Sequence, residues 1–139
     1  MGARSKARKK AMDLLYEAEQ KNIDFGEMLD ISNRRDATKV QKLSENDYAN
    51  AIVAGVHENY YRIQDVLDAN LRGWTSDRLF PVDRAILRIA LWELLYTDTK
   101  PEVVRSEALS LAGEYGSDDA VSFIGGIIGS VVRDAPESE

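Results

Sequence analysis

The sequence predicts an all-α protein of six to seven helices arranged as two small packed bundles. Three observations predict it. Apolar residues recur at spacings of three and four in segment after segment, the period of a helix buried along one side. No stretch alternates apolar and polar residues for long enough to make a strand. Prolines at 81 and 101 and glycines at 73 and 116 fall between the periodic segments, where helices start and stop. At 139 residues the chain is the size of one domain with a continuous core, expected to span 1–139 with 1–3 and 134–139 frayed.

In the first segment Ala7, Ala11, Leu14, Leu15 and Ala18 form the buried stripe, and Lys6, Lys10, Asp13 and Glu17 another side. A short amphipathic piece over 24–31 follows, then a charged stretch over 32–42 that reads as a loop. Ser44 with Asp47 has the spacing of an N-cap and its reciprocal acid. From Tyr48, apolar residues at Ile52, Val56, Tyr60, Ile63, Leu67 and Leu71 predict the longest helix, ended by Gly73. Residues 74–80 form a connector between an N-terminal and a C-terminal group of helices. Thr75 and Ser76 are its candidate caps, and Leu79 and Phe80 are its candidate core plugs. Pro81 opens a helix whose broad face, Ile86, Leu87, Ala90, Leu91, Leu94 and Leu95, marks it as central. Pro101 opens the next, with Val104, Ala108, Leu109, Leu111 and Ala112, and Gly116 stands as its C′ residue. Ser117 is placed to cap a last helix with Asp118 and Asp119 in its first turn and Ala120, Ile124, Ile127, Ile128 and Val131 on its stripe.

Composition narrows the function. The chain has no cysteine, which excludes disulfides, thiolate zinc sites and thiol nucleophiles. One histidine, His57, falls inside the longest expected helix and cannot by itself assemble a zinc site. The glycines around Phe123-Ile124-Gly125-Gly126-Ile127-Ile128-Gly129 follow no strand and precede no GK[ST], so they are read as helix packing and not as a phosphate loop. Neither a catalytic constellation nor a metal site is expected. No apolar run approaches the roughly 20 residues needed to span a bilayer, and no apolar stretch of signal-peptide type follows the basic start. The expected address is the cytoplasm, with no membrane partner.

Charge is unevenly spread. The net charge is −6, yet residues 1–10 hold Arg4, Lys6, Arg8, Lys9 and Lys10 and no acid. The rest of the chain keeps 13 of the 18 basic side chains against all 24 acidic ones. An acidic body repels polyanions, and one basic end admits them at a single place. Because the cluster shares its segment with an apolar stripe, it sits on the opening turns of an amphipathic helix.

That opening, Arg4-Ser5-Lys6-Ala7-Arg8 leading into Ala11 and Leu15-Tyr16, resembles the start of NusB-family proteins. A second stretch, Val82-Asp83-Arg84-Ala85-Ile86-Leu87-Arg88-Ile89-Ala90-Leu91-Trp92-Glu93-Leu94, is similar to the family's most recognisable segment. Pro101-Glu102-Val103-Val104, Glu107-Ala108, Leu111-Ala112 and Tyr115-Gly116 fit its penultimate helix, and Phe123 and Gly126 its last. The resemblance covers about 4–133 and implies two small helical bundles in a single RNA-binding domain with no catalytic activity and no cofactor. It implies a transcription antitermination factor that binds boxA-type single-stranded RNA of ribosomal-RNA leaders with NusE, a small-subunit ribosomal protein, in a complex on RNA polymerase. A homodimer is a further expected partner state. The alternative is a helical scaffold that binds NusE with little RNA affinity of its own.

Carried over residue by residue, the resemblance implies RNA contacts at Arg4, Lys6 and Arg8. Tyr16 stands either as a stacking ring or as a core or interface tyrosine. Arg88 stands either as an RNA contact or as a structural ion pair with Glu93 or Glu107. Phe123 matches an aromatic near the RNA path and also fits plain core. Asp83 stands where relatives contact NusE and also reads as a helix-start acid. Ser5 and Lys6 replace frequent arginines, and a lysine gives a point charge where arginine gives a planar fork. Gly125 and Ser106 stand where asparagines are usual.

Overall fold

The computed structural model describes residues 2–36 and 43–134, which hold seven α-helices, one 3-10 turn and no strand. They divide into two compact units, 1–60 and 61–139.

In the first unit α1 (Ala3–Lys21) buries Ala7, Ala11, Leu14, Leu15 and Ala18, the stripe expected from spacing, together with Met12. Gly2 stands at its N-cap with no side-chain hydrogen bond, and its first turn contains no acid. Asn22 closes it in the left-handed region, φ 55°, which asparagine tolerates better than other residues with a Cβ. Helix α2 (Phe25–Asp36) returns alongside, and α3 (Leu43–Glu58) completes the bundle. At one end the Phe25 and Tyr60 rings meet with centroids 6.1 Å apart. There a Cβ on Gly26 would stand 3.0 Å from His57 Nε2, so α2 approaches α3 closely at this glycine. At the other end Arg4 and Arg8 of α1 lie over Tyr48 of α3, so α1 and α3 run the same way and α2 runs against them.

Two expectations for this unit are corrected. The charged stretch after residue 31 is not loop through 36. It continues α2, with Ser32 buried, because Arg35 and Asp36 find partners on α1. The long helix from Tyr48 is divided at Asn59, whose side-chain Nδ2 and backbone N–H both donate to the Gly55 carbonyl, at 2.9 and 3.1 Å. Such local side-chain bonding competes with the helical ladder, and α4 (Tyr60–Ala69) starts anew. The Ser44–Asp47 cap and the loop over 37–42 fall outside the described residues or side chains, as do residues 1 and 135–139. Of the ends expected to fray, residues 3 and 134 already belong to α1 and α7.

In the second unit α5 (Pro81–Tyr96) is central. Every residue from Ala85 to Glu93 is buried, and the helix packs with α6 (Pro101–Tyr115) and α7 (Ala120–Asp134). The unit boundary lies at residues 60 and 61, so 74–80 lies inside this unit and does not join the two groups. Its 3-10 turn (Ser76–Arg78) is tied to α4, since Ser76 N–H donates to Asp68 Oδ1 at 3.0 Å and its hydroxyl meets Gln64. Arg84 fastens the turn to α5 by donating to the carbonyls of Ser76 and Leu79, at 2.9 and 2.8 Å. Leu79 plugs the core as expected, but Phe80 is 68% exposed because it stands at the N-cap of α5 and faces out.

Gly116 ends α6 as expected but for another reason. Its backbone is extended, φ −82°, with none of the positive φ of a C′ glycine. A Cβ there would lie 2.6 Å from Ala120 Cβ and 2.7 Å from the Ala112 carbonyl, so close approach excludes a side chain. Ser117 does not cap α7. Its N–H and hydroxyl donate to Asp83, and Asp118 and Asp119 precede the first helical residue. Of the glycines in α7, Gly125 fits the packing expectation, with Arg105 Nη2 3.2 Å and Leu109 Cδ2 3.4 Å from where its Cβ would be. Gly126 does not. It is exposed, and nothing lies within 4 Å.

Candidate nucleic-acid interface

The opening of α1 carries the basic cluster because the helix must bury its alanine and leucine stripe, which leaves the remaining positions to charge. Arg4 and Lys6 are exposed, Lys9 and Lys10 are half-buried, and Arg8 is covered, 3% exposed. The guanidinium carbon of Arg4 lies 4.4 Å from the centre of the Tyr48 ring and that of Arg8 5.7 Å, both within cation–π range. Arginines one helical turn apart repel each other. A shared aromatic face offsets part of that repulsion and holds both planes in place.

Acids then trim the charge on the sides of the cluster. Lys9 pairs with Asp13 at 2.5 Å, and Lys10 pairs with Asp36 of α2. Further along α1, Glu17 accepts two hydrogen bonds from Arg35, at 2.9 and 2.7 Å, and one from Lys21 at 2.6 Å. The Arg35 fork, followed by Lys21, holds the Glu17 carboxyl at about 2, well below its ordinary 4.5. The same contact raises Arg35 above its ordinary value. At the opening of α1 the exposed basic side chains are therefore Arg4 and Lys6. Tyr16 is 39% exposed and stands on α1 seven residues beyond Lys9, so it is not a core residue.

The other candidates lie in the second unit. Arg88 is buried, and its Nη2 donates to Gln64 Oε1 at 3.3 Å, a partner that nothing in the sequence named. Asp83 is buried too. Its Oδ1 accepts the Ser117 N–H at 3.1 Å and its Oδ2 the Ser117 hydroxyl at 2.6 Å, pinning the α6–α7 turn to the start of α5. Phe123 is half-buried on α7. Of the six RNA candidates the structure thus brings Arg4 and Arg8 together on one ring, and Lys6, on the same turns, projects from another side of the helix. Tyr48 itself was read only as part of an apolar stripe. Its role depends on α3 meeting α1, and no spacing within either segment records that.

The sequence matches the NusB family over residues 5–133. This chain belongs to the NusB family. It is 42% identical to the transcription antitermination protein NusB of Beutenbergia cavernae, over 98% of this chain and 93% of that one. A crystal structure of NusB from T. maritima superposes with a TM-score of 0.81 at 30% identity, covering 94% of this chain and 91% of that one. The NusB of a crystal structure of antitermination factors NusB and NusE with dsRNA shares the fold, with a TM-score of 0.83 at 22% identity, over 97% and 99% of the two chains. The seven described helices agree with the all-α fold that the resemblance implies. No described helix is long and apolar enough to cross a membrane.

Proposed function

We propose that this protein is a transcription antitermination factor that binds boxA-type single-stranded RNA at the opening of α1, together with NusE, within the complex on RNA polymerase. The observation that carries the reading is the exposed Arg4–Lys6 pair at the start of a helix in an otherwise acidic, family-matched chain. Arg4 and Lys6 take phosphates directly, and Tyr16 offers its ring to a base. Arg8, covered beside Tyr48, contributes charge from beneath. Phe123, half-buried on α7, is a further candidate for contact with RNA. Arg88 and Asp83 enter as structural groups, Asp83 shaping the turn that a NusE-type partner meets. The protein acts by binding, without chemistry, in the cytoplasm.

A second reading has an observation in its favour. Arg8 is covered and Lys9 and Lys10 face acids, which leaves fewer groups for phosphates than the sequence suggests and favours a NusE-binding scaffold of low RNA affinity. Fluorescence-anisotropy titration of a boxA-type RNA, with and without NusE across a salt series, separates the two. Antitermination predicts sequence-selective binding that NusE strengthens and that weakens with salt by a log–log slope of about −0.7 per phosphate contact. NusE association without RNA binding under any condition selects the scaffold.

A further inference from the structure

The pairing of Arg4 and Arg8 on one ring points past the arginines to the residue beneath them. We propose that Tyr48 is a positioning residue of the RNA site: from α3 it holds the Arg4 guanidinium at the exposed start of α1, ready to receive a phosphate. The inference rests on the RNA-binding reading above. An arginine at the first turn of an uncapped helix has a long flexible side chain, and ordering it on binding costs entropy. Tyr48 meets that cost beforehand. Its ring lies 4.4 Å from the Arg4 guanidinium carbon, close enough to restrict the side chain, while Arg4 itself stays exposed. A guanidinium lying over a ring keeps its N–H edges pointing outward in its own plane, where a phosphate oxygen accepts them in pairs. Arg8, covered and 5.7 Å from the same ring, adds positive potential behind it and leaves Arg4 to make the contact. Lys9 and Lys10, each facing an acid, are not arranged in this way. The site is thus a two-helix construction, and α3 supplies its orientation without touching RNA.

A double-mutant cycle tests this on the full chain, with anisotropy of a labelled boxA-type RNA as the readout. Tyr48→Leu is expected to weaken binding about three- to tenfold, the range of a partly desolvated cation–π contact. Tyr48→Phe, which keeps the ring and loses the hydroxyl, is expected to bind as wild type does. In an Arg4→Ala background Tyr48→Leu is expected to change nothing further, an outcome that a merely structural tyrosine would not produce. Equal losses from Tyr48→Leu in both backgrounds, or no loss in the wild-type background while Arg4→Ala weakens binding, would overturn the inference and leave RNA recognition standing. Full affinity in Arg4→Ala/Lys6→Ala at every salt concentration would remove the RNA reading itself. Should Tyr48→Leu fail to fold, NMR of wild type and Tyr48→Phe decides without it. The Arg4 Nε–H resonance is expected upfield in both from the ring current, and a random-coil shift would sink the proposal.

Discussion

Arg4 and Arg88 carry the same guanidinium on helices of similar length and are put to opposite uses. Arg4 stands at the exposed start of α1, over a ring. Arg88 is buried in the middle of α5, flanked in sequence by residues that are themselves buried, and donates to Gln64. The contrast extends to their units. In the first, Lys9 pairs along α1, and Lys10 and Glu17 of α1 pair with Asp36 and Arg35 of α2, at or near the helix surfaces. In the second, Asp83, Arg88 and Glu93 are sealed along one helix. A surface charge pair is worth little to stability, whereas a buried charge deprived of its partner is costly. The exposed charge pairs of the first unit thus contribute little to the fold, and charge on α5 serves it.

The sharpest way to break this comparison is to truncate both arginines. Arg88→Ala is expected to cost about 3 kcal/mol, because it removes a buried charged donor and leaves its acceptors unpaired. Arg4→Ala is expected to cost under about 1 kcal/mol yet to weaken RNA binding about tenfold or more. Urea denaturation and RNA titration on each variant check both halves, and equal stability losses would erase the distinction. Next in size is Gly116→Ala. The new Cβ meets Ala120 and a backbone carbonyl inside 3 Å, and a loss of about 1–3 kcal/mol is expected from overpacking. Gly126→Ala should run the other way. With open space around it and a helical backbone, the alanine is expected to stabilise the protein by about 0.5–1 kcal/mol.

The smallest effect is in pH. Glu17 titrates at about 2 in the fold against an ordinary 4.5, so its contribution is present above about 4.5 and is lost as pH falls toward 2. Glu17→Gln is expected to flatten the acid limb of the stability curve over that interval. High salt is expected to shrink the difference between the two proteins. Thermal melts at stepped pH measure it.

The helices were legible in the sequence because burial imposes a period. The stripes of α1, α5, α6 and α7 and the two proline starts stand where the spacing puts them, except that Leu94, Leu95 and Leu109 are only half-buried. The misreadings share one cause. Arg35 and Asp36 read as loop because their stabilising partners, Glu17 and Lys10, are on another helix. Asn59 looked compatible with a continuous helix because its bond to Gly55 uses a side chain that hydropathy ignores. Gly116 was recognised as a helix end, but the crowding that requires glycine comes in part from Ala120, beyond the α6–α7 turn. The same holds at the site. Arg4 and Lys6 were legible as local charge, whereas the burial of Arg8, the ring of Tyr48 and the Ser117 bonds of Asp83 belong to tertiary contact.

The uncapped, acid-free first turn of α1 has a thermodynamic consequence of its own. The aligned peptide dipoles leave partial positive charge at a helix start, and cations there oppose it by up to about 1 kcal/mol each. Arg4 and Lys6 therefore lower the stability of the turn on which they stand. A polyanion settling on them supplies the negative charge that Gly2 does not, so occupancy and helix order rise together. The backbone amides of residues 3–6 are then expected to exchange more slowly with solvent in the RNA complex than in the free protein, and the protection at that turn should fade as added salt drives the RNA off.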